Sequence, residues 1–141
     1  MARYERLNVG ELIARKLRVD RGDEKSNVGV LKALTGDIAY DVADPYTVSL
    51  GIAPKGTKLV EVIVDIETAF NAATTNVLVV GTSGDDDAFV AAADVDESSA
   101  SLQVVAGNLA EFSADTEIFA KFTQTGTAAT AGLAHITAVI V

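Results

Sequence analysis

The feature that most constrains the fold is the alternation of apolar and polar side chains over residues 58–70, KLVEVIVDIETAF. If this segment is extended, one face carries four branched apolar residues, Val60, Val62, Val64 and Ile66. The opposite face then carries three carboxylates, Glu61, Asp65 and Glu67. Because side chains alternate between the two faces of a strand, the pattern predicts a half-buried strand of an antiparallel sheet.

The chain from residue 28 onward repeats this two-residue period in short pieces, separated by turn-forming residues such as Gly36–Asp37 and Asp44–Pro45. The predicted strands cover residues 28–34, 38–42, 46–52, 58–70, 76–81, 101–107, 117–123 and 132–141. Residues 88–95 are predicted as either a strand or one helical turn. Since no long helical period separates the pieces, the sequence predicts an all-β protein, a jelly-roll-like antiparallel β-sandwich.

The charges divide the chain into two parts. Residues 1–35 carry a net charge of +3, and residues 36–141 carry a net charge of −12. Such an asymmetry predicts a basic N-terminal arm and linker that contacts a partner, followed by an acidic β-sandwich body. Apolar residues at near-helical spacing within the arm predict a short helix over residues 10–18.

Composition excludes several classes of protein. The chain has no Cys, so disulfides and thiolate metal sites are excluded. It has no apolar run long enough for a signal peptide or a membrane-spanning helix, and we expect no membrane partner. The acidic body would repel phosphate and the glycine-rich phosphate motifs are missing, so we expect no nucleic-acid partner and no cofactor.

Two groups of side chains invite a functional interpretation. His135 is the only His and lies mid-strand among apolar residues, so we expect a sheet or interface residue rather than a catalytic one. Asp85, Asp86 and Asp87 form a carboxylate cluster that fits either a Ca²⁺ site or a solvated turn. The cluster lacks the ligand spacing of an EF-hand, which favours the solvated turn.

An enzyme is not expected. The carboxylates of the 58–70 strand could form an acid–base pair for glycoside hydrolysis, but the chain has no Trp to form a sugar platform. A solvent-facing strand or an acidic contact surface is the favoured interpretation of that face. No candidate nucleophile is paired with a base anywhere in the sequence.

Residues 64–96, VDIETAFNAATTNVLVVGTSGDDDAFVAAADVD, resemble a pattern found in structural proteins of tailed bacteriophages. The matching pieces, in order, are Thr68, Ala69 and Phe70; residues 76–81; Gly84, Asp85, Asp87, Ala88 and Phe89; and Asp94 and Asp96. The proteins that this stretch resembles include capsid decoration, or cement, proteins of the jelly-roll type.

The resemblance implies a virion protein that is made in the host cytoplasm and binds the outer surface of the capsid. Its partners would be the major capsid protein and further copies of itself, as a homotrimer rather than a homodimer. It would stabilise the capsid without performing chemistry. The residues expected to contact the capsid or a sister subunit all lie in the arm: Arg3, Arg6, Leu7, Leu12, Ile13, Arg15, Lys16, Leu17, Arg18 and Arg21.

Alternatives remain open at this point. The chain could be another phage structural part, such as a head fibre, tail or baseplate module, or it could be a sugar-binding β-sandwich module. The arm itself is best interpreted as binding an acidic protein surface. The main competing interpretation is a flexible tail with ordinary mixed charges, and nucleic acid and a membrane surface are weaker alternatives.

Overall fold

A computed structural model describes residues 30–141 of this protein, so the predicted helix over residues 10–18 lies outside the described residues. The described part contains seven strands. They are β1 (Lys32–Ala39), β2 (Tyr46–Ala53), β3 (Leu59–Thr68), β4 (Thr75–Gly81), β5 (Leu102–Ala106), β6 (Thr116–Thr125) and β7 (Leu133–Ile140).

The strands form two packed sheets, with the order β1-β7-β3-β5 in one and β2-β6-β4 in the other. Every strand pair is antiparallel. The predicted all-β sandwich is therefore confirmed. Consecutive strands alternate between the two sheets from β1 through β7, as in a jelly roll that has one strand fewer than the usual eight.

The missing eighth strand would lie beside β4, where residues 82–101 run instead. The prediction of a strand or helical turn over residues 88–95 was wrong, because this segment contributes one isolated bridge, between Val80 and Val90. Two further contacts attach residues 82–101 to the β4 edge: the Phe89 N–H donates to the Val80 carbonyl at 2.9 Å, and the Leu78 N–H donates to the Glu97 carboxylate.

The turn predicted at Gly36–Asp37 was also wrong, since β1 runs through both residues as one strand. Gly36 points toward the opposite sheet, where an added Cβ would lie 2.8 Å from Leu50 Cδ2. Glycine here marks a close approach of the two sheets rather than a turn. Residues 32–35, which the sequence assigns to the arm, form the first half of β1 and pair with β7.

Strand β3 departs in one respect from the simple alternation. Its pairing with β7 shifts between Leu59 and Glu61, which is a β-bulge. As a result Leu59 and Val62 are buried while Val60, predicted on the core face, is half-buried. Val64 and Ile66 are buried as predicted.

The core lies between the sheets and consists of buried apolar side chains from every strand except β5, together with Phe70, Val90 and Val95. Phe70 packs on Phe122 of β6 with ring centroids 4.6 Å apart. Gly132 lies against the Phe70 ring with a φ of +150°, which an L side chain rarely adopts. No helix within residues 30–141 has the length and hydropathy needed to cross a membrane.

Candidate interaction surface

The outer face of the four-stranded sheet, the side turned away from the core, carries the main cluster of interacting polar side chains. Strand register places the outward side chains in rows across β1, β7, β3 and β5. One row contains Asp37, His135, Asp65 and Leu102. The neighbouring row contains Thr35, Thr137, Ile63 and Val104.

His135 joins three strands on this face. Its Nδ1 lies 2.7 Å from Asp37 Oδ1 on β1, and its Nε2 lies 2.7 Å from Glu67 Oε2 on β3. The hydrogen bond to Asp37, and then that to Glu67, raises the pKa of His135 above its usual value, because both favour the charged ring. In the protonated form both ring N–H groups donate to a carboxylate.

This arrangement acts as an electrostatic bridge between neighbouring strands. Both ring nitrogens are engaged, so the ring presents no lone pair to a metal ion in this geometry. The expectation that His135 is a sheet residue is confirmed. Its two partners were missed, because they lie 98 and 68 residues away in the chain, and no local spacing reports a contact across strands.

The β5 end of the same face is apolar. Leu102 is 66% exposed and Val104 is 55% exposed, although both are large hydrophobic side chains. Ile63 and Val139 lie half-buried beside them on β3 and β7. Glu61 and Asp65 of β3 border this area on the outward face, as the alternation of residues 58–70 predicts.

The carboxylates of Asp85, Asp86 and Asp87 come together in an exposed turn after β4, with one oxygen from each within 4.8 Å of the others. Asp86 forms a 2.7 Å ion pair with Lys121 of β6. A hydrogen bond with Asp85 is the main cause that raises the pKa of Asp87, which follows from crowding of like charges. The turn itself is closed by the Thr82 N–H donating to the Asp85 carbonyl at 2.8 Å.

The neighbouring Asp94 and Asp96 take no part in that cluster. Asp94 accepts a hydrogen bond from the Ala91 N–H at 2.9 Å, and Asp96 accepts one from the Ser98 hydroxyl at 2.6 Å. Both therefore stabilise local turns, the common role of Asp in loops.

Glu97 is a buried carboxyl that sequence reasoning missed. Its Oε1 accepts the Leu78 N–H, and burial raises its pKa above the usual value. Nothing in the local sequence, AADVDESSA over residues 92–100, distinguishes Glu97 from the acids around it, so only the folded loop shows that it is buried.

A shallow cleft of about 290 Å³ lies on the outer face of the other sheet. It is lined by Thr47, Thr82, Ser83, Asp86, Phe119 and Lys121. The hydroxyls and the Asp86–Lys121 pair contribute polar groups to a lining that is mostly apolar, and Phe119 gives it one aromatic wall. The arm residues predicted to make contacts, from Arg3 to Arg21, lie outside the described residues.

Comparison with known proteins gives two similar structures. A chain of the structure described as "Cyanophage Pam1 capsid asymmetric unit" is 16% identical, with a TM-score of 0.61, and the match covers 79% of this chain and 84% of that chain. A chain of "Acidic stable capsid structure of Helicobacter pylori bacteriophage KHP30" is 14% identical, with a TM-score of 0.59, covering 79% of this chain and 86% of that one. No protein-family model and no curated protein matches the sequence. At these identities the likeness shows a shared β-sandwich fold.

Proposed function

We propose that this protein is a structural component of a tailed-bacteriophage capsid, and specifically a decoration protein that binds the outside of the major capsid protein lattice. The observation that carries the proposal is the shared fold: 79% of the chain superimposes on chains from two phage capsid structures. The resemblance of residues 64–96 to phage structural proteins is a second line of support from the sequence.

The surfaces of the body suit binding rather than catalysis. The outer face of the four-stranded sheet combines exposed apolar side chains at β5 with a carboxylate–histidine row, a mixture typical of protein interfaces. The acidic body keeps copies soluble until they meet a lattice. In this proposal a homotrimer attaches through the arm and through such a face, and many weak contacts on one regular lattice add up.

The test is reconstitution on the capsid of the phage that encodes the protein. Particles from a phage with the gene deleted are mixed with purified protein, sedimented and analysed by quantitative mass spectrometry. A decoration protein saturates in a fixed simple ratio to the major capsid protein and raises the temperature at which DNA is released. Binding in a few copies per particle would indicate a head fibre, tail or baseplate part, and no binding would overturn the proposal.

A further inference from the structure

Strand β5 is an edge of the four-stranded sheet, and its outer side has no strand beside it within residues 30–141. The Ile66 N–H donates to the Ser101 carbonyl at 2.9 Å, and the Gly107 N–H donates to the Val60 carbonyl at 2.8 Å. In an antiparallel ladder, alternate residues direct their backbone groups to the same side. The backbone groups of Leu102, Val104 and Ala106 therefore point away from β3, and no residue from 30 to 141 hydrogen-bonds them.

Other edges of the sandwich have protection that β5 lacks. Residues 82–101 cover β4, and β2 is interrupted by a bulge between Ser49 and Gly51. Strand β1 carries the charges of Lys32 and Asp37. Strand β5, LQVVA, has no charge, no Pro and no bulge, and such an edge invites pairing with another strand.

The side chains beside this edge specify what would cover it. Leu102 and Val104 are exposed and apolar, while Glu61 and Asp65 lie one strand further in. A complementary segment needs apolar side chains to pack on the first pair. It also needs long basic side chains whose stems cross the apolar strip and whose charges reach the carboxylates.

Residues 1–29, the part of the arm that precedes the described residues, have this composition. Seven of these residues are Arg or Lys, and apolar residues are interspersed among them, as in Arg6-Leu7-Asn8-Val9. The same acidic border disfavours a second copy of β5 as the occupant, since it would bring like charges together. Four strands are about 19 Å wide at the usual strand spacing, and 20 extended residues reach about 66 Å, so the arm can cross the sheet to β5.

We propose that residues 1–29 of this protein add a strand to the open edge of β5, with apolar arm residues on Leu102 and Val104 and basic ones toward Glu61 and Asp65. The inference concerns the isolated protein and does not depend on a capsid role. If it fails, the capsid proposal stands or falls separately on the reconstitution described above.

Hydrogen exchange on the full-length protein gives the first test. The amide of Val105 pairs with β3, whereas that of Val104 is directed to the edge. With the arm docked, the Val104 amide exchanges within about tenfold of the Val105 amide. Fast exchange at Val104, as expected for an unpaired amide, would overturn the proposal.

Cross-linking identifies the occupant. The chain has no native Cys, so the pair Leu7→Cys and Val104→Cys can be joined by a short bismaleimide without background. The matched control joins Leu7→Cys to Ile52→Cys, because Ile52 is 56% exposed but lies in the other sheet. A cross-linked monomer or dimer, well above the control, supports docking of the arm of the same chain or of a second copy, respectively. Equal yields for both pairs would show that the arm has no preference for β5.

A charge variant provides a separate readout. In Val104→Lys the added cation faces the basic arm, so trypsin should cut within residues 1–29 several-fold faster than in the wild-type protein. Ile52→Lys, the control on the other sheet, should leave the cutting rate unchanged. Unchanged cutting in Val104→Lys, with both variants folded by circular dichroism, would contradict the proposal.

Discussion

The backbone N–H of Leu78 donates a 2.6 Å hydrogen bond to Oε1 of Glu97, and Glu97 is only 6% exposed. Leu78 lies on β4, the edge strand of its sheet, and this donor points away from the neighbouring β6. An edge amide of this kind normally faces water or a further strand. Here a buried carboxylate takes the place of a strand at Leu78, and together with the Val80–Val90 bridge it holds residues 82–101 against the sandwich.

Replacing Glu97 with Ala should destabilise the protein by about 1–3 kcal/mol, because a buried N–H is left without an acceptor. Glu97→Gln retains a carbonyl oxygen for the Leu78 N–H and should lose less. Urea denaturation at pH 7, followed by circular dichroism, measures both. Equal losses in the two variants would mean that the hydrogen bond is not the main contribution of this side chain.

The same residue should shape the pH dependence of stability. Burial raises the pKa of Glu97 in the folded state, so between the unfolded and folded pKa values the folded protein binds more protons. The contribution of protonated Glu97 is therefore fully present below the unfolded pKa and is lost as pH rises through the folded pKa. Relative to Glu97→Gln, the wild-type protein should lose stability as the pH rises from the usual glutamate pKa through the raised folded pKa of Glu97, as measured by denaturation at several pH values.

The His135 bridge predicts a pKa above the usual value for this single histidine. Asp37→Asn should lower that pKa more than Glu67→Gln does, since the hydrogen bond to Asp37 is the larger cause. An NMR titration of the one imidazole resolves both effects without assignment. A wild-type value at or below that of the two variants would show that the bridge does not form in solution.

Because the folded pKa of His135 is raised, the bridge stabilises the folded state most below the unfolded pKa, and this stabilisation is lost as pH rises through the folded pKa. The ring is on the surface, so solvent reduces the effect. Comparing thermal unfolding of the wild-type protein and His135→Gln across this range should show a difference that shrinks with rising pH.

Gly132→Ala should destabilise the protein by about 2 kcal/mol or more, because the new methyl group meets the Phe70 ring and the backbone φ of +150° is strained for Ala. Gly84→Ala is the matched control, since an added Cβ there has open space. It should change stability by less than about 0.5 kcal/mol. Thermal and urea unfolding of the two variants give the comparison, and similar losses in both would contradict the packing argument.

The sequence predicts the sandwich well where side chains alternate without interruption. In β7, every second residue from Ala134 to Ile140 is buried, as an alternating strand requires. The prediction fails where contacts between sheets or irregular strand pairing determine the structure. In the sequence Gly36 indicates a turn, but in the structure it marks a close approach of the two sheets. The bulge after Leu59 moves Val60 off the core face.

The candidate surface is predicted only in part. The acidic side of β3 was visible in residues 58–70, and the outer face of the sheet bears it out. The partners of His135 and the buried state of Glu97 depend on contacts between residues far apart in the chain, so no local pattern reports them. The arm residues expected to make contacts remain a prediction.

The position of β7 has a consequence for how the protein is made. This strand is the last of the seven in the chain, yet it lies between β1 and β3 and pairs with both. While the ribosome is still adding residues 133–140, β1 and β3 lack the strand that joins them. The four-stranded sheet therefore closes only after these residues emerge, and slow, long-range pairing is expected. Translation that stops before residue 133 should leave nascent chains with unpaired strands that aggregate rather than a smaller folded domain.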